Sequence, residues 1–409
     1  MGRRVCDILV IGGGPAGASC AAHLARGGAR VVLLEAGRGR EKACGGCLTA
    51  PAWAELGWPD ALGATAVREA SFEAPGGRIA LGVADEVMLV DRPRLDAWLL
   101  GQAESAGATV LRAAARHLAR DAGGWTVETD AGPVGGRILV GADGCRSRVR
   151  AALVGPWRGS DLAFGASVGP AWSEVSPAAG RPGLVRAIFF SRRFLADLDG
   201  GGEVGPRPWH GYAYVFGGAE RPAMGVWGRG RLAVPVLRRL ASGAWRADGA
   251  GRPWPIHGRW SPCAGSTSLY NLPTGGRDWL VVGDAAGHTS PITGEGIRFA
   301  LVGGRLAAEA ILDGRPEEWR DRWQAAFGQE LRWGVRLVEV IERAGVHRRW
   351  VRGAGRSRFL AAALGELAFA RVPSRRFVMA GLARALVEMA LRPAPTGPHR
   401  SGAITGPSG

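Results

Sequence analysis

Asp7-Ile8-Leu9-Val10-Ile11-Gly12-Gly13-Gly14-Pro15-Ala16-Gly17 decides the fold of this chain. The apolar strand Asp7–Ile11 runs into a glycine turn, a helix is expected over Ala16–Arg26, and a second strand follows at Arg30–Glu35. Each glycine of Gly12-x-Gly14-x-x-Gly17 has its own task. Gly12 allows the tight turn, Gly14 lets backbone amides approach a pyrophosphate, and Gly17 lets helix and strand pack closely. Glu35, eighteen residues after Gly17, is placed to accept hydrogen bonds from adenosine ribose hydroxyls. The glycines alone are weak evidence; strand, helix and acid in register make a dinucleotide site.

Two later stretches repeat the strand-to-helix step. Gly141-Ala142-Asp143-Gly144-Cys145-Arg146-Ser147-Arg148-Val149-Arg150 ends a strand over Arg137–Gly141 and begins a helix. It brings Asp143 and Gly144 towards the pyrophosphate, with Ser147 as helix cap. Gly283-Asp284-Ala285-Ala286-Gly287-His288-Thr289-Ser290-Pro291-Ile292-Thr293-Gly294-Glu295-Gly296-Ile297 follows the apolar run Trp279–Val282. Here the Asp284 carboxylate can hold a sugar-like hydroxyl. Gly294–Gly296 opens the helix Ile297–Leu312 towards an electron-rich ring or phosphate. With the dinucleotide fingerprint at the other end of the chain, this block completes a flavin site, and FAD is the expected cofactor.

The 409 residues suffice for two domains with ordinary cores, and 46% hydrophobic with 22% charged residues fits a globular protein. The formal charge is +16, yet Lys42 is the only lysine and the arginines are spread along the chain. No basic-aromatic recognition motif accompanies them, so nucleic acid is not the expected partner. Attraction to anionic lipid, diphosphate or NADPH stays open. Six scattered cysteines do not form a disulfide scaffold. Arg3-Arg4 before Val5–Ile11 imitates a twin-arginine leader, but Asp7 interrupts the run and the glycine turn follows at once. No stretch reaches the ~20 apolar residues of a membrane span. A cytoplasmic protein is expected, with peripheral contact to the membrane surface left open.

The expected fold is α/β: a Rossmann-like, discontinuous FAD-binding domain (1–50, 91–161 and 270–315). An antiparallel substrate-binding sheet (51–90 and 162–269) is inserted into it. A helix follows Asp91-Arg92-Pro93, and Gly211–Phe216 alternates as a strand does. A C-terminal helical region covers 316–391, where Trp319, Trp323, Phe327 and Leu331 make an apolar stripe suited to core packing. The Pro-, Gly- and Ser-rich 392–409 reads as a disordered tail.

The three flavin elements together resemble the class that includes aromatic hydroxylases, flavin halogenases and geranylgeranyl reductases. Lys42-Ala43-Cys44-Gly45-Gly46-Cys47-Leu48 is similar to the reductases' Lys-x-Cys-Gly-Gly-x-Leu/Ile segment. Gly287 also matches their version of the Gly-Asp block, where the hydroxylases usually carry His. The resemblance spans roughly residues 5–315. It implies FAD contacts at Ala16, Glu35, Cys44-Gly45, Arg92, Asp284, Gly296 and Ile297, with Ala115 beside the adenine. Gly211-Tyr212-Ala213-Tyr214-Val215-Phe216-Gly217 resembles the family's Gly-Tyr-x-Trp-x-Phe-Pro substrate segment, but Tyr214 replaces Trp and Gly217 replaces Pro.

The resemblance implies reduction of a C=C bond in a prenylated or other hydrophobic lipid-like substrate. Cys47, Tyr212 and His288 are the candidate proton donors, and bound water would also serve. His288 reads equally as a solvent-facing loop residue. A metal site is not expected, because Cys44 and Cys47 have no second close ligand pair. Redox cycling of these two thiols and plain packing are both open. The electron donor is NAD(P)H or a reduced protein partner. The rival readings are a monooxygenase acting on a phenolic or quinone-like lipid, and a membrane-peripheral electron-transfer or lipid-binding flavoprotein. Oligomeric state is not legible.

Overall fold

The computed structural model describes residues 4–37, 43–74, 77–83, 87–168, 181–190, 211–218, 222–229, 232–242 and 256–344, with Ser357, Phe359, Ala380 and Arg384. Lys42, nearly all of the helical region expected over 345–391, and the tail 392–409 lie outside the described residues.

The first sheet is the predicted one. Strand Arg4–Ile11 pairs in parallel with Val31–Leu34 on one side and Val134–Gly141 on the other, and Thr109–Leu111 extends the Val31–Leu34 edge. Strand Val134–Gly141 then forks. Its first residues pair antiparallel with Gly124–Thr129, while Leu139–Gly141 pair in parallel with Trp279–Val281. The Gly-Asp block therefore follows a strand beside the one that carries Asp143, although the chain builds five strands of a second sheet between them.

Both faces of this sheet are covered, so its strands are apolar on both sides. Ile8 and Val10 face helices Pro15–Arg26, Arg92–Ser105 and Ile297–Leu312. Leu9 and Ile11 face Trp125, Val127 and Val149 on the other side, as the two-residue period of a strand requires. Helices Pro15–Arg26 and Ile297–Leu312 touch almost backbone to backbone. A Cβ on Gly304 would lie 2.5 Å from the Ala16 carbonyl oxygen, and the Ser19 hydroxyl donates to the Leu301 carbonyl at 3.0 Å.

The second sheet runs in the order Ile256–Pro262, Leu162–Val168, Ala223–Arg229, Gly211–Phe216, Leu184–Ile188, Glu69–Ala74, Gly77–Gly82. It is mixed where an antiparallel sheet was expected, because Leu184–Ile188 lies parallel to Glu69–Ala74. These two strands come from separate passes of the chain, so no hairpin forces them antiparallel. Helix Ala50–Glu55, expected with this sheet, instead puts Trp53 into the core of the first. Arg305 of helix Ile297–Leu312 ties it there through Glu55 at 2.5 Å.

Beyond 315, helix Trp319–Trp323, a π turn at Gln324–Gly328 and helix Gln329–Ala344 follow one another. The Trp319, Trp323, Phe327 and Leu331 stripe is buried, as core packing requires. Trp319 Nε1 donates to the Val281 carbonyl at 3.1 Å and Trp323 Nε1 to Thr274 Oγ1 at 2.9 Å.

Candidate functional site

The glycine turn is built as its spacing demands. Gly12 has φ +104°, and a side chain there would collide with the Ala142 carbonyl; one on Gly17 would collide with the Gly12 carbonyl. Gly14 caps the twelve-residue helix Pro15–Arg26 without any side-chain hydrogen bond, and the first turn carries no acid. Its amides and positive dipole end are therefore open to an anion. Glu35 closes the turn: its Oε2 accepts from the Gly13 amide at 2.7 Å and its Oε1 from the Gly37 amide at 3.2 Å. The start of strand Ala115–Asp121 places Ala115 opposite Thr129, at an irregularity of the hairpin.

Asp143 has its backbone against this turn, because a Cβ on Gly12 would come within 2.8 Å of its Cα. Its carboxylate points elsewhere. Oδ2 accepts from the Arg148 amide at 2.7 Å and the Val149 amide at 3.4 Å, so the acid caps the helix Arg148–Leu153. Oδ1 is enclosed with no partner, and burial pushes the carboxyl pKa up. Ser147 caps the same helix as expected, accepting from the Arg150 amide at 2.8 Å.

At the other end, on the Gly283–Ala286 turn, two neighbours hold the Asp284 carboxylate. Thr289 Oγ1 donates to its Oδ1 at 3.2 Å, and Arg259, from the second sheet, donates to its Oδ2 at 2.8 Å. Gly296 lies against both groups: a Cβ on it would sit 3.3 Å from Asp284 Oδ1 and 3.4 Å from Thr289 Oγ1. Gly296 also caps the sixteen-residue helix that starts at Ile297, again with no side-chain cap and no acid in the first turn.

Over these turns stands one face of strand Gly211–Phe216. Tyr212, Tyr214 and Phe216 alternate along it, with ring centroids 6.4 and 4.9 Å apart in sequence. Gly45 lies directly under the Phe216 ring, where any side chain would collide. The Tyr212 hydroxyl donates to the Thr293 carbonyl at 2.5 Å, and Trp227 packs 5.9 Å from the same ring. Cys44 and Cys47 are half-buried free thiols. Burial, then the Glu295 carboxylate and Cys44, push the Cys47 thiol well above its ordinary value. Arg92 is buried, bonds Asp96 at 3.0 Å and interacts with Cys44, while its Nε has no partner.

His288 requires a correction. It is neither a loop residue in solvent nor a hydrogen-bonding partner at these turns. Its ring is 0% exposed, with Trp323, Phe327 and Trp319 centroids at 4.4, 5.1 and 5.8 Å, and neither ring nitrogen has a partner. Burial, aided by the Arg150 charge, lowers its pKa from 6.5 to about 3.

Residues 5–178 match the family model described as FAD binding domain. The chain is 30% identical over 315 residues to the geranylgeranyl diphosphate reductase of Rhodobacter capsulatus, covering 75% of each chain. It is 30% identical over 360 residues to the menaquinone reductase of Mycolicibacterium smegmatis, covering 82% of this chain and 83% of that one. This chain belongs to the geranylgeranyl reductase family. The fold agrees: a geranylgeranyl bacteriochlorophyll reductase-like protein from Thermoplasma acidophilum superposes with a TM-score of 0.69 at 19% identity, covering 95% and 98% of the two chains.

A geranylgeranyl reductase family member is an FAD-dependent oxidoreductase, and the residues present suit that cofactor. Two long helices end uncapped at Gly14 and Gly296, the glycine cradle is too tight for any Cβ, and the buried Arg92 Nε lacks a partner. Among the described residues no helix is long and apolar enough to cross a membrane. Sequence reasoning missed Arg259 altogether. It sits in a strand with no motif, and only the meeting of the two sheets brings it to Asp284.

Proposed function

We propose that this enzyme reduces carbon–carbon double bonds in the prenyl chain of a lipid-like substrate. The observation that carries the reading is the aromatic row Tyr212, Tyr214 and Phe216, seated over the Cys44–Gly46 turn and bonded to Thr293 beside the uncapped Gly296. It offers an apolar wall next to the flavin turns, suited to a long hydrocarbon. Geranylgeranyl diphosphate and menaquinone, named for two relatives, differ in headgroup and share a polyprenyl chain. The chain, rather than the headgroup, is what this wall recognises.

FAD would be held by Gly12, Gly14, Ala16, Gly17 and Glu35 at its adenosine diphosphate end, with Ala115 and the Asp143 backbone alongside. Cys44, Gly45, Arg92, Asp284, Gly296 and Ile297 would hold the flavin end. When bound and reduced, FAD supplies a hydride to one alkene carbon. The uncapped helix at Gly296 favours negative charge opposite it. Cys47 delivers the proton to the other carbon. Of the three candidate acids, His288 is walled into an aromatic cluster and the Tyr212 hydroxyl already donates to Thr293. The half-buried Cys47 thiol is protonated at neutral pH, and burial and the Glu295 carboxylate hold its pKa above the ordinary thiol value. Electrons come from NAD(P)H or a reduced protein partner, and the arginine-rich surface suits contact with the anionic membrane where such lipids reside.

The test is direct. Chemically reduced enzyme is incubated with prenyl diphosphates, prenylated quinones and phenolic lipids, with and without air, and the products are weighed. A gain of two hydrogens on the prenyl chain is expected. A gain of one oxygen in air would make the enzyme a hydroxylase, and no change in any lipid would leave an electron carrier.

A further inference from the structure

Arg259 stands on strand Ile256–Pro262, at the edge of the second sheet, yet its guanidinium lies between two turns of the first. One Nη is 2.8 Å from Asp284 Oδ2. The same nitrogen would be 3.3 Å from a Cβ on Gly144, a residue held at φ +76°. Gly144 and Gly12 flank Asp143, whose Cα would approach a Gly12 Cβ at 2.8 Å. The guanidinium thus spans the interval from the pyrophosphate turn to the carboxylate read as the ribityl contact. Side-chain exposures of 35% for Arg259 and 19% for Asp284 leave it reachable.

A single carboxylate does not use up this group. A guanidinium offers five donors in a planar fork, and the Asp284 bond engages one edge. The nitrogen that bonds Asp284 is also the one beside Gly144, so the guanidinium reaches that turn while paired. The Asp143 carboxylate does not compete for its remaining donors, because it is turned into the Arg148 and Val149 amides. The absence of a side chain at Gly144 is what lets the cation sit this close.

We propose that Arg259 binds the diphosphate of FAD while it stays paired with Asp284, so that the inserted sheet holds the cofactor directly. The proposal rests on the assignment of Asp284 and the glycine turn to the FAD site. A doubly charged diphosphate gains a charge-assisted, two-pronged contact from a planar guanidinium. Partial exposure makes that contact sensitive to salt. Seating FAD then fixes the second sheet, and the aromatic wall on it, against the flavin turns.

The experiment is an FAD titration by flavin fluorescence quenching, at several KCl concentrations, on the native protein and on Arg259→Gln, Arg259→Lys and Asp284→Asn. Circular dichroism checks the fold of each. Arg259→Gln is expected to raise the FAD Kd about tenfold or more and to flatten its dependence on KCl. Arg259→Lys, a point charge without the fork, falls between native and Arg259→Gln and keeps the salt dependence. Asp284→Asn raises the Kd with the salt dependence kept. An unchanged Kd in folded Arg259→Gln overturns the proposal, as does a lower Kd, or a higher Kd with the native salt dependence. If Arg259→Gln fails to fold, a native salt dependence with a native Kd in Arg259→Lys overturns it. Native binding by Asp284→Asn alone would instead remove the assignment of Asp284 to the ribityl chain.

Discussion

The hydroxyl of Tyr212 donates to the carbonyl oxygen of Thr293 at 2.5 Å, and so one strand of the second sheet is fastened to the turn that ends at Gly296. Tyr212→Phe keeps the ring contacts with Tyr214 and Trp227 and removes only this bond. A stability loss of about 1–2 kcal/mol is expected, since the Thr293 acceptor is left without its donor. Urea unfolding measures it. FAD content should stay native, and turnover should fall only modestly; a loss of all turnover would make the hydroxyl the acid in place of Cys47.

Cys47→Ala is expected to lower turnover by about a hundredfold, the scale of a positioned general acid, with FAD content and reduction of the flavin by dithionite unchanged. Cys44→Ala and Cys47→Ala should also consume the same two electrons per flavin as the native protein in an anaerobic titration. An extra two-electron equivalent in the native protein alone would show a cycling thiol pair instead.

His288 makes stability depend on pH. Folded, its pKa is about 3, against an ordinary 6.5, so the unfolded chain binds the extra proton between these values. Stability is fully present above pH 6.5 and falls as the pH drops below it, by up to ~1.4 kcal/mol per pH unit until about pH 3. Chemical denaturation from pH 7.5 to 5 should show this slope, and His288→Leu should flatten it. The same variant should be more stable at pH 7, by about 1–2 kcal/mol, because two buried nitrogens without partners are removed. Its turnover should match the native enzyme; a large loss would return His288 to the chemistry.

Glu35→Ala removes the acceptor that holds the Gly13 amide at 2.7 Å. It should weaken FAD binding about tenfold, with little change for riboflavin, which has no adenosine. Equal losses for both ligands would place Glu35 away from the adenosine end.

The dinucleotide half of the site was legible because its causes are local. Gly12, Gly17 and Glu35 act within thirty residues, and a Cβ collision is predictable from a turn alone. The Asp284 block was legible for the same reason. Three things were not. Asp143 carries an acid whose direction depends on which amides are free, and the helix at Arg148 supplied them. His288 follows a motif, yet its walls come from Trp319–Phe327, which reads simply as an apolar stripe. Arg259 is one arginine among many, and only sheet-to-sheet packing selects it. Long-range contacts decide such residues, and periodicity carries no record of them.

The seam between helices Pro15–Arg26 and Ile297–Leu312 has a consequence for how the molecule is made. Gly304 against Ala16, and Ser19 against Leu301, join segments at opposite ends of the described chain. A growing polypeptide that has completed only its first 178 residues owns the glycine turn but lacks the partner helix that walls it. If FAD is held at both Gly14 and Gly296, as proposed, its full site exists only once Leu312 has been synthesised and has folded back, so tight loading follows synthesis of the second half.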